Sequence, residues 1–150
     1  MITLRDGRSS DRPFLDGLLD AQGMAAGADP AEFVVATDDG GGLGAARAEV
    51  VEGEAWVRPI AVLPSAQGQG VGSVLLLELL RRYGVLSLVA RGAIAGFYHR
   101  RGFIEVGWDR VPGVLREECD KCPGRPECRP QPMRGPSWLV SRESRTEGRR

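Results

Sequence analysis

The sequence predicts a mixed α/β layer, a mostly antiparallel sheet flanked by helices. Three observations lead there. Apolar stretches follow one another as strand, helix, strands, helix, strand, helix and strand, an order that suits a sheet covered by helices. The middle strands are joined by short turns carrying Asp-Gly and Glu-Gly, the way antiparallel neighbours connect. The apolar run Ile60–Leu63 is closed by Pro64, which cannot continue a central strand, and a glycine-rich loop and leucine-rich helix follow at once. A chain of 150 residues is long enough for one sizeable core. The expectation is one domain over residues 1–140, of which 109–140 is a cysteine- and proline-rich extension.

Ile2-Thr3-Leu4-Arg5 alternates and reads as the first strand. Ser10 or Asp11 caps the next helix, and Pro13 stands in its first turn, where a missing N–H costs nothing. Phe14, Leu15, Leu18 and Leu19 recur at helical spacing, and Gly23 ends the helix. Gly27–Glu32 reads as turn or short helix and Phe33–Thr37 as strand, with a hairpin turn over Asp38–Gly42. Leu43–Val51 and Glu54–Val62 are strands about the tight turn Glu52-Gly53. Val71–Tyr83 is a helix whose polar residues are Ser73, Glu78, Arg81 and Arg82, so most of its surface is expected to be packed. Val85–Ala90 is a buried strand, Gly92–Arg101 a second long helix, Gly102 its left-handed cap, and Phe103–Trp108 the last strand.

Beyond Trp108 the composition changes. Pro112–Pro136 holds six of the ten prolines and all three cysteines. A helical turn or two is expected over Val114–Cys119, no regular structure beyond Cys122, and docking of Trp138–Val140. Residues 141–150 carry four arginines, two glutamates and no apolar side chain, which predicts a disordered tail.

Twenty basic and twenty acidic residues give no net charge, which argues against a nucleic-acid or anionic-membrane binder that works by bulk attraction. The first residues are charged without an apolar h-region, and no apolar run approaches membrane length. The expectation is a cytoplasmic protein, monomer or homodimer. Cys119, Cys122 and Cys128 fall within ten residues, and an odd cluster of this kind points to metal or redox chemistry more than to a disulfide framework. The C-x₂-C spacing would suit zinc if a fourth ligand closed the tetrahedron, with His99, Glu118, Asp120 or water available for it. With no fourth cysteine, metal-free thiols are the preferred reading and zinc is not favoured.

The stretch that carries chemistry is Gln67-Gly68-Gln69-Gly70-Val71-Gly72. Glycines at alternate positions let successive backbone N–H groups face one ligand, and the helix behind adds unpaired donors and a positive dipole end. That is a pyrophosphate cradle made of backbone. With four glutamines and 21 glycines in the chain, Q-x-x-G-x-G is expected by chance roughly 0.08 times, so the motif is informative. There is no G-K-[ST], hence no Walker loop, and the glycine spacing of a dinucleotide fingerprint is missing.

Strand, proline, Q-x-x-G-x-G and helix together resemble the acyl-CoA-binding motif of the Gcn5-related N-acetyltransferases. Gly96-Phe97-Tyr98-His99-Arg100-Arg101-Gly102-Phe103 resembles that family's F-Y-x-x-x-G-F segment. Val57-Arg58-Pro59-Ile60-Ala61-Val62, and the tail V-P-x-x-[IVL] followed by C-x-x-C-P, are similar to short N-acetylglutamate-synthase-like and arsenic-resistance-type members. The resemblance implies that family's fold and an acetyl-CoA-dependent transfer to the amine of a small molecule, an amino acid or analogue. It implies CoA contacts at Ala61, Val62, Gln67, Gly68, Gln69, Gly70, Val71, Gly72 and Ser73, with an oxyanion-binding backbone N–H near Ala61-Val62. Tyr98 matches the tyrosine that protonates the leaving thiolate. The usual strand glutamate is replaced by Trp56. Glu54, one step out on the same face, is the candidate base, with Glu49 and Glu52 behind it and a water chain or an already neutral amine as alternatives. Arg58 is the candidate for a substrate carboxylate, its rival reading being a strand arginine paired with Glu49 or Glu54. Arg47 and Trp56 are further substrate candidates. The lone histidine, His99, is assigned to the surface. Two other readings remain: a protein or peptide N-acetyltransferase, and a non-catalytic CoA- or metal-binding module on the same fold.

Overall fold

A computed structural model of the chain describes residues 1–147, with side chains described through Arg142. It falls into two compact units, Met1–Glu49 with Val57–Arg82, and Val50–Trp56 with Tyr83 onward.

In the first unit, β1 (Thr3–Asp6) pairs antiparallel with β2 (Val34–Asp38), Leu4 opposite Ala36. β2 pairs antiparallel with β3 (Gly41–Val51), Val34 opposite Ala46, and the register shifts between Ala36 and Thr37. β4 (Glu54–Val62) follows. α1 (Arg12–Ala21) turns Leu15, Leu18 and Leu19 inward against Phe33, Val35, Ala45 and Ala61, the one-sided burial that its apolar spacing predicts. α2 (Val71–Tyr83) buries Val71, Leu75, Leu76 and Leu79. It is less enclosed than expected, because Leu77 is 65% exposed and Glu78 ties up Arg81 and Arg82 on a solvated stripe. Arg82 also reaches Asp6 at 2.9 Å.

The second unit differs more from expectation. β5 (Leu86–Ala90) meets the start of β4 in parallel at Trp56 opposite Ser87. The single helix expected over Gly92–Arg101 is a 3-10 turn, Gly92–Ile94, leading into α3 (Ala95–His99). Gly102, at φ +85°, supplies the expected left-handed residue, and the strand after it is only β6 (Ile104–Glu105). α4 spans Gly113–Lys121 and α5 Arg125–Cys128. The stretch expected to lack regular structure then supplies β7 (Gln131–Gly135), which lies between β5 and β6 and pairs antiparallel with both. Pro132 is tolerated inside because its carbonyl is the group in use, accepting from Val106 N–H at 3.0 Å. Gly135 is required for closeness: a Cβ there would sit 2.7 Å from Phe103 Cα. α6 (Ser137–Glu147) takes in Trp138–Val140 and continues through most of the expected disordered tail, whose residues 148–150 lie outside the described residues.

Among the described residues the hydrogen-bonded strand order is β1-β2-β3-β4-β5-β7-β6. The protein is therefore a mixed α/β fold with a seven-stranded, mostly antiparallel sheet. No described helix is long and apolar enough to cross a membrane.

β1 is joined to the start of α1 by one ion pair. Arg5 donates through both terminal nitrogens to Asp11, at 2.7 and 2.8 Å, and Asp11 also accepts from Arg8 N–H at 2.8 Å. Asp11 thus sits at the helix start, as its capping position predicts, but its carboxylate serves Arg5 and the preceding turn. The Arg5 hydrogen bonds hold its carboxyl down, from 3.8 to about 2. A depressed carboxylate stabilises the fold above its unfolded pKa and loses that contribution as pH falls through the folded one. Thermal melts followed by circular dichroism should therefore weaken as pH drops from about 4 to about 2. Asp11→Asn should melt lower at neutral pH and show a shallower acid limb; an unchanged acid limb would mean the pair contributes nothing.

Candidate functional site

In the first unit, the end of β4 is held firmly. Leu63 N–H donates to Leu43 O at 2.9 Å, and Gln22 Nε2 to Val62 O at 2.8 Å. Ala61 is buried at 1% exposure. A 3-10 turn, Pro64–Ala66, then lifts the chain into the loop, where Gln67, Gly68, Gln69 and Gly70 are all exposed. Gly68 and Gly70 have φ of +80° and +86°, and a Cβ on either would meet no atom within 4 Å. Glycine is needed there for the left-handed backbone, and the space beside it is open to a ligand. Gln69 Nε2 donates back to Ser65 O at 3.3 Å and steadies the loop. The first bond of α2 is Val74 N–H to Gly70 O at 3.1 Å, so the N–H groups of Val71 and Gly72 precede the helical ladder. Buried Val71 anchors this end, while Gly72 and Ser73 are half-buried in the same turn. An open, glycine-lined helix start of this kind suits a diphosphate.

On the neighbouring strands, Glu49 stands between two arginines. Its Oε2 lies 3.6 Å from Arg47 Nη2 and 3.6 Å from Arg58 Nε. Two guanidiniums thus face one carboxylate. Arg47 also lies over the Phe33 ring at 6.0 Å, and its buried Nε makes no hydrogen bond among the described residues.

In the second unit, Tyr98 lies on α3 at 8% exposure. Phe97 and Phe103 meet its ring edge-on, at centroid distances of 5.0 and 5.5 Å. Burial pushes its phenol up to about 12, against a smaller downward pull from Arg101. Arg101 is held over the Phe97 ring at 3.6 Å and donates to Phe97 O at 2.7 Å. His99 is exposed, 3.3 Å from Glu105.

Glu54 lines a cavity of about 210 Å³ with Ser87, Arg134, Tyr83 and Val85. Ser87 Oγ donates to Glu54 Oε2 at 3.5 Å, and Arg110 Nη2 lies 3.8 Å from Oε1. Sequence reasoning missed Ser87 and Arg134. A buried serine inside the otherwise apolar run Leu86–Ala90 was a readable signal, whereas Arg134 lay in a segment expected to be irregular. Trp56 does not line this cavity. At 2% exposure it forms a core with Val111 and Leu115.

The three cysteines are free thiols, Cys122 exposed and Cys119 and Cys128 half-buried. Among the described residues no group of three or more histidine, cysteine or carboxylate side chains is arranged to hold a metal ion. The expected alternative ligands are otherwise engaged: Asp120 pairs with Arg125 at 3.1 Å, and His99 with Glu105.

Residues 29–105, which run from before β2 to β6, match the family model described as an acetyltransferase (GNAT) domain. The chain belongs to this family. No curated protein sequence matches it. Among solved structures it is similar to N-acetylglutamate synthase from Neisseria gonorrhoeae, complexed with coenzyme A and N-acetyl-glutamate, at 19% identity and a TM-score of 0.73. That likeness covers 89% of this chain but 34% of the synthase chain, so this chain spans about a third of its length. Rv2747 from Mycobacterium tuberculosis, in complex with CoA, is similar at 21% identity and a TM-score of 0.68, covering 88% of this chain and 97% of that one. Ard1 from Thermoplasma volcanium is similar at 18% identity and a TM-score of 0.64, covering 89% and 96%. At these identities the likeness is one of fold.

The chain has two tyrosines, Tyr83 and Tyr98. In a Tyr83→Phe variant, the ultraviolet titration of the remaining phenol should have its midpoint near 12. A midpoint near 10 would show that the Tyr98 hydroxyl is solvated.

Proposed function

We propose that this protein transfers the acetyl group of acetyl-CoA to the amine of a small carboxylate-bearing acceptor, an amino acid or analogue. The observation that carries the acceptor class is the shared carboxylate of Glu49 between Arg47 and Arg58. Guanidiniums held at that place repel a protonated amine and attract a carboxylate. Polyamines therefore fit poorly and amino acids fit well. We take residues 1–140 to act as one functional domain in the cytoplasm, as monomer or homodimer.

Acetyl-CoA binding would use the backbone of Gln67–Ser73 for the diphosphate, with the helix dipole of α2 behind it. The chemistry then asks three things of this chain. A neutral amine must attack the thioester carbonyl, which requires a proton acceptor. Glu54 is the candidate base, supported by its place in a cavity beside buried Ser87, directly or through water. The developing oxyanion needs a fixed donor, for which a backbone N–H near Ala61 and Val62 suits, because that strand end is tied down. As the C–S bond breaks, the electron pair goes to sulfur, and Tyr98 would supply the proton.

The second reading is a peptide N-acetyltransferase, favoured by the similar fold of the ribosomal-protein-S18-alanine N-acetyltransferase from Escherichia coli. An acetyl-CoA turnover screen over free amino acids, their amides, polyamines and peptides separates the two. Carboxylate-bearing amines should outcompete their amides. A desolvated charge-assisted pair is worth roughly 1.5–3 kcal/mol, so Arg58→Ala should raise KM about ten- to hundredfold for the acid and little for the amide. Equal effects on both, or turnover confined to peptides, would remove the amino-acid reading.

Tyr98→Phe keeps the buried ring and removes the acid. Turnover should fall by roughly 10²–10⁴, with an unchanged circular dichroism spectrum. A rate within a few-fold of the wild type would assign thiolate protonation to water.

A further inference from the structure

The proposed acetyl transfer makes no use of the cysteine segment. Its thiols are placed in two different environments. α4 ends at Lys121, and Cys122 is the first residue off the helix, with extended backbone at φ −71° and ψ 121°. Cys122 is exposed, and the residue beside its sulfur is Gly124, where even a Cβ would stand 3.9 Å away. Nothing therefore covers that sulfur from Gly124. Cys119 sits half-buried in the last turn of α4. The two are joined by a backbone hydrogen bond, Cys122 N–H to Cys119 O at 3.2 Å. A turn closed in this way holds its first and fourth Cα atoms within about 7 Å, which overlaps the roughly 4.4–6.8 Å that a disulfide spans.

We propose that Cys119 and Cys122 form a thiol–disulfide exchange site for low-molecular-weight disulfides, with Cys122 as the entry thiol. The Cys122 thiolate attacks the small disulfide, forming a Cys122–S–S–R bond and releasing one RS⁻. The Cys119 thiolate then attacks the Cys122 sulfur, forming the Cys119–Cys122 bond and releasing the second RS⁻. Two protein thiols are oxidised, one small disulfide is reduced to two thiols, and the two cysteine protons end on the released thiolates. The order follows from access, since the attacking sulfur must reach a bulky disulfide. It also follows from burial, which raises the Cys119 thiol above its usual value despite the opposing pull of Arg125. Cys128 is the competing partner. Its thiol also acts on that of Cys119, as Cys122 does, while its backbone N–H is bonded to Gly124 O at 2.9 Å and its carbonyl lies against Gly92, where a Cβ would approach to 3.1 Å.

The test incubates the full-length chain with oxidised glutathione in the absence of air, followed by thiol titration and intact mass. Two of the three thiols should disappear, with the mass lowered by two hydrogens and restored by dithiothreitol. Cys128→Ser should behave in the same way, and Cys119→Ser should stop at a glutathione adduct on Cys122. The pairing is read independently in the wild type with trypsin and Glu-C, which cut after Lys121 and Glu127 and so separate the three cysteines. A Cys119–Cys122 link is expected. Three persisting thiols, a stable glutathione adduct in the wild type, or a link that uses Cys128 would overturn the proposal.

Discussion

The close approach of β3 to the end of β4 governs the first unit. Gly44 makes it possible, because a Cβ there would stand 2.6 Å from the Ala61 carbonyl oxygen and 3.3 Å from Val71 Cγ1. Backbone cannot yield at such distances, so any larger residue would push β4 and the root of α2 away. With Gly44 in place, Ala61 and Val62 are held between β3 and the α1 end, where Gln22 reaches the Val62 carbonyl. The loop beyond can then rise as a short, open arc without losing its footing. A backbone anion site gains from this arrangement, since donors fixed before the ligand arrives need not be ordered by it.

Charge is arranged on the same economy of fixed partners. The chain has as many acids as bases, and several arginines answer to a named carboxylate. Arg5 meets Asp11, Arg82 meets Asp6 and Glu78, and Arg125 meets Asp120. On β3 and β4, Arg47 and Arg58 both face Glu49 at 3.6 Å. Those separations are ion-pair distances longer than a hydrogen bond.

How much of this was legible follows from where the signals lie. The glycine-rich loop was readable because glycine at alternate positions before a leucine-rich helix reports a backbone need, and φ of +80° at Gly68 and +86° at Gly70 is that need realised. α1 was readable because Leu15, Leu18 and Leu19 mark one face. β7 was not, since Pro132 normally argues against a central strand and periodicity over Gln131–Gly135 is too short to outweigh it. Its stability comes from partners distant in sequence, Leu88 opposite Met133 and Leu86 opposite Gly135, and no local pattern announces them. Trp56 is a related case: the residues that cover it, Val111 and Leu115, come from beyond Trp108, and nothing in the strand's own pattern announces them.

In the proposed reaction the environment of Tyr98 poses a chemical question. A phenol raised to about 12 is a weaker acid than in water, yet it must protonate a thiolate whose ordinary thiol pKa is about 8.5. Compared directly, the transfer looks strongly uphill. The comparison is between unlike surroundings, however, because a thiolate formed beside a buried phenol would be desolvated as well. With both groups desolvated, their difference returns toward the value in water, about 1.5 units or about 2 kcal/mol. That gap is small enough to be covered by the collapse of the tetrahedral adduct. In that proposed reaction, burial would keep Tyr98 protonated until C–S cleavage begins.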